Sequence, residues 1–441
     1  MKIAYIGQKG IPASYGGVER HVEELGKRLI KNPENEVFVY CRKWYVGKDQ
    51  NLKVKDQNLK QIFIPSIKTK HLDTITHVLF STLHALTKDY DVIHYQGIGP
   101  ALLSFIPRIF KPKTKVIATY HCADYEHQKW GVFAKMMLKF GEIACLTFPH
   151  EVIVVSQNMQ HYLEKKYHKK ITFIPNGVSS PEINVNTSFL DKFGLKKNSY
   201  FVTVGRLVRH KGIHYLIEAY QKLYPKVSQN DKKLVIVGDS AFTDDYVQEL
   251  KALAYGNPNI IFTGYQTGET LAQLFSYAYL YIQPSESEGM ALTLLEAMAY
   301  GIPVLTSNIP ANIEVIGKNG FNFENKNVVD LKEKLEYSLF HERKIKKLGI
   351  AGQKEIIKRY HWNKIVKKTL KIYCHNNNKR PSDYSFGPSF ELFSVNEALL
   401  TSRSKDLLPA LHRKRNFSEA KLSSLLSSRL RPEYLAKGDK I

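Results

Sequence analysis

Cysteine is scarce in this chain of 441 residues, which contains only four. They are Cys41, Cys122, Cys145 and Cys374. Because they lie far apart and form no C-x-x-C pair, their spacing argues against a zinc site or a disulfide framework. A reducing compartment is therefore favoured.

Long apolar runs are also lacking. The run ALLSFIPRIF is too short to span a membrane, and it contains Pro107 and Arg108. The N-terminal KIAYIG has the pattern of a strand and lacks the charged and apolar regions of a signal peptide. We therefore expect a cytoplasmic protein that is either soluble or bound to one face of a membrane.

Acidic residues are fewer than basic residues. The chain contains 41 Asp and Glu and 64 Lys and Arg, which gives a formal net charge of +23. This charge indicates an anionic partner, such as nucleic acid, a membrane surface or a phosphorylated substrate. Nucleic acid is the least favoured of the three, because the sequence contains no recognised binding module and no interleaving of aromatic and basic residues.

The order of strand and helix patterns predicts an α/β protein. Short runs rich in β-branched and aromatic residues recur with helical patterns between them. In the first half they are KIAYIG, EVFVYC, DVIHYQ, KVIATY, EVIVVS and ITFIP. In the second half they are SYFVTVG, KLVIVG, NIIFTG, AYLYIQP and IPVLTS. Two such series indicate two Rossmann-like, doubly wound domains with parallel sheets covered on both faces.

Domain boundaries follow from changes in composition. The polar stretch 179–199 contains a proline and precedes a new strand, so we assign residues 1–185 to a first domain and 198–360 to a second. RYHWNKIVKKTLKIYC predicts a helix, and residues 361–375 are treated as a separate element. Residues 376–441 are rich in Ser, Leu and Arg, have no strand series and are interpreted as a tail compatible with disorder.

A glycine-rich loop follows the first predicted strand and precedes a helix. It contains Gly7, Gly10, Gly16 and Gly17. Such a loop exposes backbone N–H groups at a helix N-terminus, which suits an anion. A tight turn without a ligand explains the same residues equally well, and the spacing is not the G-x-G-x-x-G of dinucleotide-binding proteins.

Two cations follow the first strand of the second domain. In GRLVRHKG, Arg206 and Lys211 lie at the carboxyl end of the strand, where open α/β sheets bind ligands. The guanidinium fork and the ammonium group can together bind a diphosphate. The alternative is a pair of solvated surface cations.

Two glutamates flank another possible anion site. Glu288 precedes, and Glu296 lies within, a predicted helix that begins near Ala291. The free N–H groups around Leu292 and Thr293 would point at an anion, with support from the helix dipole. Carboxylates on both sides suit a ligand with hydroxyl groups on both sides of a diphosphate, such as a nucleotide sugar. The alternative is a surface glutamate followed by a buried, salt-bridged one.

These motifs together resemble a known family. GRLVRHKG followed by PSESEGMALTLLEAMAYGIPVL resembles the donor-binding signature of family-4 retaining glycosyltransferases of the GT-B fold. GIPASYGGVERHVEEL and YHCADYEHQKWG are similar to the bacterial polysaccharide branch, including its rhamnosyltransferase-like members. The resemblance covers about residues 1–375. It implies two Rossmann-like domains facing a cleft, with a C-terminal helix that returns to the first domain.

The resemblance implies a binding site for the donor diphosphate. Gly17 would approach the diphosphate through its backbone. Arg206 and Lys211 would neutralise it, with the N-terminal turn at Leu292 and Thr293 beside them. This arrangement would replace a divalent metal, so no metal or cofactor is expected. The DYD at residues 89–91 precedes a strand and is interpreted as a turn.

The resemblance also implies roles at the two ends of the donor. Glu288 and His121 would form the catalytic pair, with Glu288 binding hydroxyls of the transferred sugar and His121 orienting that sugar. Glu296 would bind the ribose, and Tyr265 would contact the base. The donor would be a UDP-, GDP- or dTDP-sugar, used as co-substrate with retention of the anomeric configuration.

The acceptor would bind to the first domain. Lysine-rich stretches there, and the apolar VFAKMMLKFGEIACL with its two lysines, suggest docking on an anionic lipid surface and a glycan or lipid-linked sugar acceptor. The protein would then be peripheral on the cytoplasmic face of the inner membrane. A solvated basic face over a buried helix is equally compatible with the pattern.

Two other functions remain open. One is a catalytically silent scaffold subunit that binds a sugar nucleotide, because binding and catalytic residues overlap in this motif. The other is an NAD(P)-dependent oxidoreductase, which the strand KIAYIG and the α/β pattern allow. The missing G-x-G-x-x-G makes the oxidoreductase less favoured.

Overall fold

Each half of the protein contains a parallel β-sheet in the computed structural model. It describes residues 1–46, 56–69, 72–123, 125, 131–181, 186–225, 231–240 and 243–374. The predicted tail, residues 376–441, lies outside the described residues. The described part of the chain forms two sheets, which come from the two halves of the sequence.

The first sheet contains seven parallel strands in the order β3-β2-β1-β4-β5-β6-β7. They are β1 (Lys2–Ile6), β2 (Glu36–Arg42), β3 (Leu59–Ile64), β4 (Val92–Gln96), β5 (Lys115–Tyr120), β6 (Glu151–Val154) and β7 (Thr172–Phe173). The sequence patterns predict all of these except β3. This edge strand, LKQIFI, is only partly buried, so it lacks the near-continuous apolar run of the central strands.

Helices cover both faces of the first sheet. They are α1 (Gly17–Leu29), α2 (Leu72–Leu86), α3 (Ile98–Ala101), α4 (Phe105–Phe110), α5 (Val132–Thr147) and α6 (Gln157–Tyr167). Buried side chains from α2, α3 and α5 share one apolar core with β1, β4 and β5. These three helices therefore lie on the same side of the sheet.

The second sheet has six parallel strands in the order β10-β9-β8-β11-β12-β13. They are β8 (Tyr200–Val204), β9 (Lys233–Val237), β10 (Ile260–Gly264), β11 (Leu280–Gln283), β12 (Val304–Ser307) and β13 (Phe321–Phe323). The strand order reverses between β8 and β11, and such a reversal opens a crevice at the carboxyl ends of the strands. β13, a short edge strand, was not predicted.

Helices precede and surround the second sheet. They are α7 (Ser188–Lys192), α8 (Ile213–Leu223), α9 (Asp244–Leu253), α10 (Gly268–Ser276), α11 (Leu292–Ala299), α12 (Pro310–Ile316), α13 (Val328–Phe340) and α14 (Glu342–Tyr360). Two apolar clusters, one on each face of the sheet, form the core of this domain. The architecture is therefore two Rossmann-like α/β domains, as predicted.

The last described helix, α15 (Trp362–Cys374), returns to the first domain. The hydroxyl of Tyr373 lies 2.8 Å from the hydroxyl of Tyr5 on β1 and 2.7 Å from Nδ1 of His94 on β4. The predicted helix RYHWNKIVKKTLKIYC begins at Trp362 in the structure, because Arg359 and Tyr360 are the end of α14, and the two helices are divided at His361. Its extended backbone separates α14 from α15 and pairs with Val178.

Within the described residues, no helix is both long enough and apolar enough to cross a membrane. All four cysteines lie among the described residues, and none of them forms a disulfide.

Candidate functional site

Two helix N-termini face each other across the gap between the domains. α1 begins at Gly17 and α11 at Leu292, and a Cβ atom on Gly17 would lie 3.7 Å from Leu292 Cδ1. Gly16 has a φ of 111°, and a Cβ atom there would lie 1.9 Å from a carboxylate oxygen of Glu19, so glycine is required. No side chain of the described residues caps either helix. The N–H groups of both first turns can therefore bind an anion.

A largely buried ion pair joins Lys211 and Glu288. Lys211 ends the 3-10 turn Arg209–Lys211, and its Nζ lies 2.5 Å from Glu288 Oε1. The same oxygen accepts hydrogen bonds from Gln283 Nε2 at 2.8 Å and from Ser285 Oγ at 2.6 Å. Because Gln283 and Ser285 are buried, they hold the Glu288 carboxylate through one oxygen in a defined orientation.

A chain of buried side chains links this carboxylate to the N-terminus of α11. The hydroxyl of Tyr281 contacts Gln283 Oε1 and lies 3.0 Å from Thr293 Oγ1. Tyr281 and Gln283 point to the same side of β11, because side chains alternate along a strand. Sequence reasoning missed both residues, although a glutamine at the carboxyl end of an apolar strand is a detectable signal.

His121 follows β5 and lies directly against the Glu288 loop. A Cβ atom on Gly289 would lie 1.6 Å from the backbone oxygen of His121. His121 Nε2 is 2.8 Å from Gln96 Oε1, so with this oxygen as acceptor the ring proton is on Nε2. Burial, followed by the charges of His21 and His94, lowers the pKa of His121 well below its usual value. The imidazole is therefore neutral at pH 7.

The close approach at Gly289 leads to a test. Gly289→Ala is expected to reduce the free energy of unfolding by about 1–3 kcal/mol, because the new methyl group overlaps the His121 carbonyl. Urea unfolding would measure this difference. Gly205→Ala is the matched control, since a Cβ atom at Gly205 would meet nothing within 4 Å. Equal stability of the two variants would contradict the observed contact.

An ion pair between the domains involves Glu296. Arg20 on α1 lies 2.9 Å from Glu296 Oε1 on α11. Burial raises the pKa of Glu296, and the charge of Arg20 opposes that shift. Both residues line a cavity of about 170 Å³ that also contacts Phe275, Tyr300 and Trp362. Sequence reasoning missed Arg20, and its position three residues after Gly17, on the first turn of α1, is the only sequence signal for it.

The loop around Tyr265 reaches Tyr15 of the first domain. The ring centroids of Tyr265 and Tyr15 are 6.5 Å apart, and Tyr265 is 45% exposed. Burial raises the pKa of Tyr15, and the charge of Arg206 is among the groups that oppose this shift. Tyr265 therefore lies at the open side of the same gap.

The structure thus brings all the predicted site residues to the gap between the two sheets. The predicted turn at DYD is elsewhere, with Asp89 3.2 Å from Lys111 Nζ and Asp91 accepting a hydrogen bond from the Lys2 backbone. Among the described residues, no three His, Cys, Asp or Glu side chains are grouped to hold a metal ion. Independence from metals remains a prediction.

Two family models match the chain, one on each domain. Residues 15–180 match the model for Glycosyltransferase Family 4, and residues 186–355 match the model for Glycosyl transferases group 1. The matches cover most of both Rossmann-like domains and include every predicted site residue, from Gly17 to Glu296. The chain is therefore a glycosyltransferase of the group 1 and family 4 type, with the GT-B fold.

Individual relatives agree with this assignment. The chain is 26% identical over 393 residues to an uncharacterized glycosyltransferase of Methanocaldococcus jannaschii, which covers 85% of this chain and 98% of the relative. It is 27% identical over 305 residues to the UDP-Gal:alpha-D-GlcNAc-diphosphoundecaprenol alpha-1,3-galactosyltransferase of Escherichia coli, covering 67% and 76% of the two chains. The structure of Anabaena HepE in complex with UDP and glucose matches with a TM-score of 0.69 at 19% identity, covering 85% of this chain and 100% of HepE.

Proposed function

We propose that the protein transfers a sugar from a nucleoside-diphosphate sugar to a glycan or lipid-linked acceptor in cell-surface polysaccharide biosynthesis. The observation that carries this proposal is the pair of uncapped helix N-termini facing each other between Glu288 and Glu296. The N–H groups and the cations Arg206 and Lys211 suit a diphosphate, and the two carboxylates suit the hydroxyls at its two ends.

The donor would lie along α11. Its sugar would contact Glu288 beside His121, its ribose Glu296, and its base the loop at Tyr265. Among UDP-, GDP- and dTDP-sugars, a UDP-sugar is the first to test, because HepE binds UDP and the Escherichia coli relative uses UDP-Gal. Binding of the ribose requires that Glu296 exchange its contact with Arg20 for the ribose hydroxyls.

The reaction would proceed with retention and without a metal. As the bond between the anomeric carbon and the phosphate oxygen breaks, negative charge develops on the diphosphate, where Arg206, Lys211 and the helix N-termini stabilise it. The acceptor hydroxyl attacks the anomeric carbon from the same face, and its proton passes to the departing phosphate oxygen. Neutral His121 forms a hydrogen bond with the sugar and does not act as a nucleophile.

The acceptor would bind to the first domain at the cytoplasmic face of the membrane. The net charge of +23 supports an anionic surface as partner. The Escherichia coli relative, whose acceptor is a diphosphoundecaprenol-linked sugar, supports a lipid-linked acceptor. The rhamnosyltransferase-like branch of the family is proposed from the N-terminal motif alone.

Thermal unfolding with UDP-, GDP- and dTDP-sugars, each with and without EDTA, tests the donor site. One nucleotide class is expected to stabilise the protein equally with EDTA. Glu296→Gln should weaken its binding about 10- to 100-fold, because hydrogen bonds to a charged acceptor contribute about 1.5–3 kcal/mol each. Glu333→Gln, an exposed glutamate of the same domain, is the matched control and should bind normally.

Other outcomes of this experiment would favour the other functions. Stabilisation by NAD(H) and not by any sugar nucleotide would contradict the proposal and indicate an oxidoreductase. Tight binding of a sugar nucleotide, with no release of nucleoside diphosphate beyond that of Glu288→Ala and His121→Ala, would indicate a scaffold subunit.

A further inference from the structure

We propose that α2, α4 and α5 form one docking surface for an anionic lipid bilayer. We call this surface the lipid face. It consists of Leu72, Ile75, Phe80, Leu83, Ile109, Phe110, Val132, Met136, Phe140 and Ile143, together with Arg108, Lys135 and Lys139. The inference rests on the proposed lipid-linked acceptor and identifies where the protein would meet the membrane that carries it.

The clearest part of the lipid face is α5. Its exposed apolar side chains are Val132 at 87%, Met136 at 45%, Phe140 at 52% and Ile143 at 49%. At about 100° per residue they fall within a stripe about 80° wide on one side of the helix. Lys139 is exposed and lies next to this stripe, about 20° beyond the side chain of Val132 around the helix. The opposite side of α5 packs on α3 and the sheet, so the stripe faces away from the core.

The neighbouring helices extend this stripe into a surface. On α2, the side chains of Leu72, Ile75, Phe80 and Leu83 are 45–57% exposed. On α4, the side chains of Ile109 and Phe110 are 65% and 67% exposed. α2 contacts both α3 and α4, α3 contacts α5, and the rings of Phe105 and Phe148 lie 5.6 Å apart between α4 and the end of α5. The three helices that carry these exposed residues are therefore connected by direct packing, through α3 and through the Phe105–Phe148 contact.

The exposed charge on these helices is positive. α2 and α5 contain one carboxylate each, and α4 contains none. Asp73 of α2 is buried against Arg42 at 2.5 Å, and Glu142 of α5 is buried against Tyr120 and Lys166. Exposed cations remain on the outer side, including Arg108 and Lys139. An apolar surface with exposed cations and buried carboxylates complements anionic lipid headgroups.

A protein partner is less well supported. Large exposed apolar patches also occur at protein interfaces, but the cores of those interfaces are depleted of lysine. In the second domain, exposed large apolar residues such as Val329, Phe340 and Ile350 are few, and the helices that carry them also carry carboxylates. The lipid face therefore differs from the described surface of the second domain in two ways: it has more exposed large apolar residues, and the carboxylates on its helices are buried.

The lipid face lies on the acceptor side of the cleft. α5 follows β5, whose carboxyl end leads into His121, and α2 follows β3 in the same parallel sheet. The N-termini of both helices, with Leu72 and Val132, therefore lie near the edge of the sheet that faces the donor domain. A bilayer bound there would present a lipid-linked acceptor to His121 without removing its lipid from the membrane.

Vesicle sedimentation of the full-length chain tests the lipid face. The probes are vesicles of phosphatidylcholine alone and vesicles with about one third phosphatidylglycerol, at rising salt. The wild type is expected to sediment with the anionic vesicles. Replacing Met136 and Phe140 by serine should weaken binding at least about tenfold at every salt concentration, because apolar insertion is lost. Lys135→Ala with Lys139→Ala should weaken it about fivefold per lysine at low salt and less at high salt.

Matched controls establish whether vesicle binding depends on the lipid face in particular. Replacing Val329 and Phe340 by serine removes exposed apolar residues from the second domain and should leave vesicle binding unchanged. Donor-induced thermal stabilisation should be the same in all these variants, which shows that they fold. If the protein binds vesicles but no nucleotide, the result supports the lipid face and contradicts the proposed donor site.

Three results would overturn the proposal. The first is a wild type that does not bind anionic vesicles. The second is binding that the α5 variants leave unchanged, or that disappears only when residues 376–441 are deleted. The third is a concentration-dependent dimer, seen by analytical ultracentrifugation, that the α5 variants abolish without any effect on vesicles, since the surface would then be covered by a second copy of the chain.

Discussion

Lys211→Ala is expected to lower kcat/KM for the nucleotide-sugar donor about 100- to 1000-fold, the usual effect of removing one group that stabilises developing negative charge. The Lys211 ammonium contacts Glu288 at 2.5 Å beside the N-terminus of α11. The substitution would therefore remove the cation proposed to stabilise the leaving diphosphate and the ion-pair partner of Glu288, the carboxylate proposed to bind the sugar. Release of nucleoside diphosphate under steady-state conditions measures the effect.

Two controls separate these contributions. Lys222→Ala removes an exposed lysine from α8 of the same domain and should leave kcat/KM unchanged. The double variant of Lys211→Ala and Glu288→Gln should lose less activity than the two single effects predict together, because contacting residues are coupled. A loss below about tenfold for Lys211→Ala would contradict the proposed role of this lysine.

The second large expected effect is loss of stability in mild acid. Burial lowers the pKa of His21 and of His77 to about 4 and that of His94 to about 3, and it lowers the pKa of His121 well below the usual value. The unfolded chain binds protons on these histidines below about pH 6.5, whereas the native protein does not. Stability is therefore present above pH 6.5 and is lost as the pH falls toward 4.

The size of the stability loss follows from the thermodynamic linkage between proton binding and unfolding. For each unit by which the pH falls, each buried neutral histidine reduces the free energy of unfolding by up to about 1.4 kcal/mol, so the four together reduce it by up to about 5.6 kcal/mol. Since folded proteins are stable by only about 5–15 kcal/mol, unfolding is expected between about pH 4 and 5.5.

Urea unfolding at a series of pH values checks this dependence. His77→Leu should reduce the slope by about 1.4 kcal/mol per pH unit, because it removes one buried titrating group. His341→Leu, at an exposed histidine, is the control and should not change the slope. A free energy of unfolding that is constant from pH 6.5 to 4.5 would contradict the prediction.

The central strands of both sheets were predictable because each is buried on two faces. β4, VIHYQ, is buried along its whole length, and this produces a run that is easily recognised. β3 and β13 were missed because edge strands are only partly buried and do not need such runs.

The candidate site was predictable only where short motifs specify it. Lys211, Glu288 and Glu296 were found because their spacing within one domain is a sequence property. Arg20 pairs with Glu296 across the gap, and that contact depends on how the two domains are placed. Gln283 acts on Glu288 through a hydrogen bond five residues away in sequence, which requires the turn after β11 to be known.

The pair of Arg20 and Glu296 has a thermodynamic consequence for substrate binding. Arg20 contacts the carboxylate that we propose binds the ribose, and it would therefore compete with the ribose for that carboxylate. The measured affinity for a nucleotide is then the intrinsic affinity reduced by the fraction of molecules in which this contact is closed. Donor binding would also break the contact of the Arg20 guanidinium, on the first domain, with Glu296, so that binding of the nucleotide would directly affect the domain proposed to hold the acceptor.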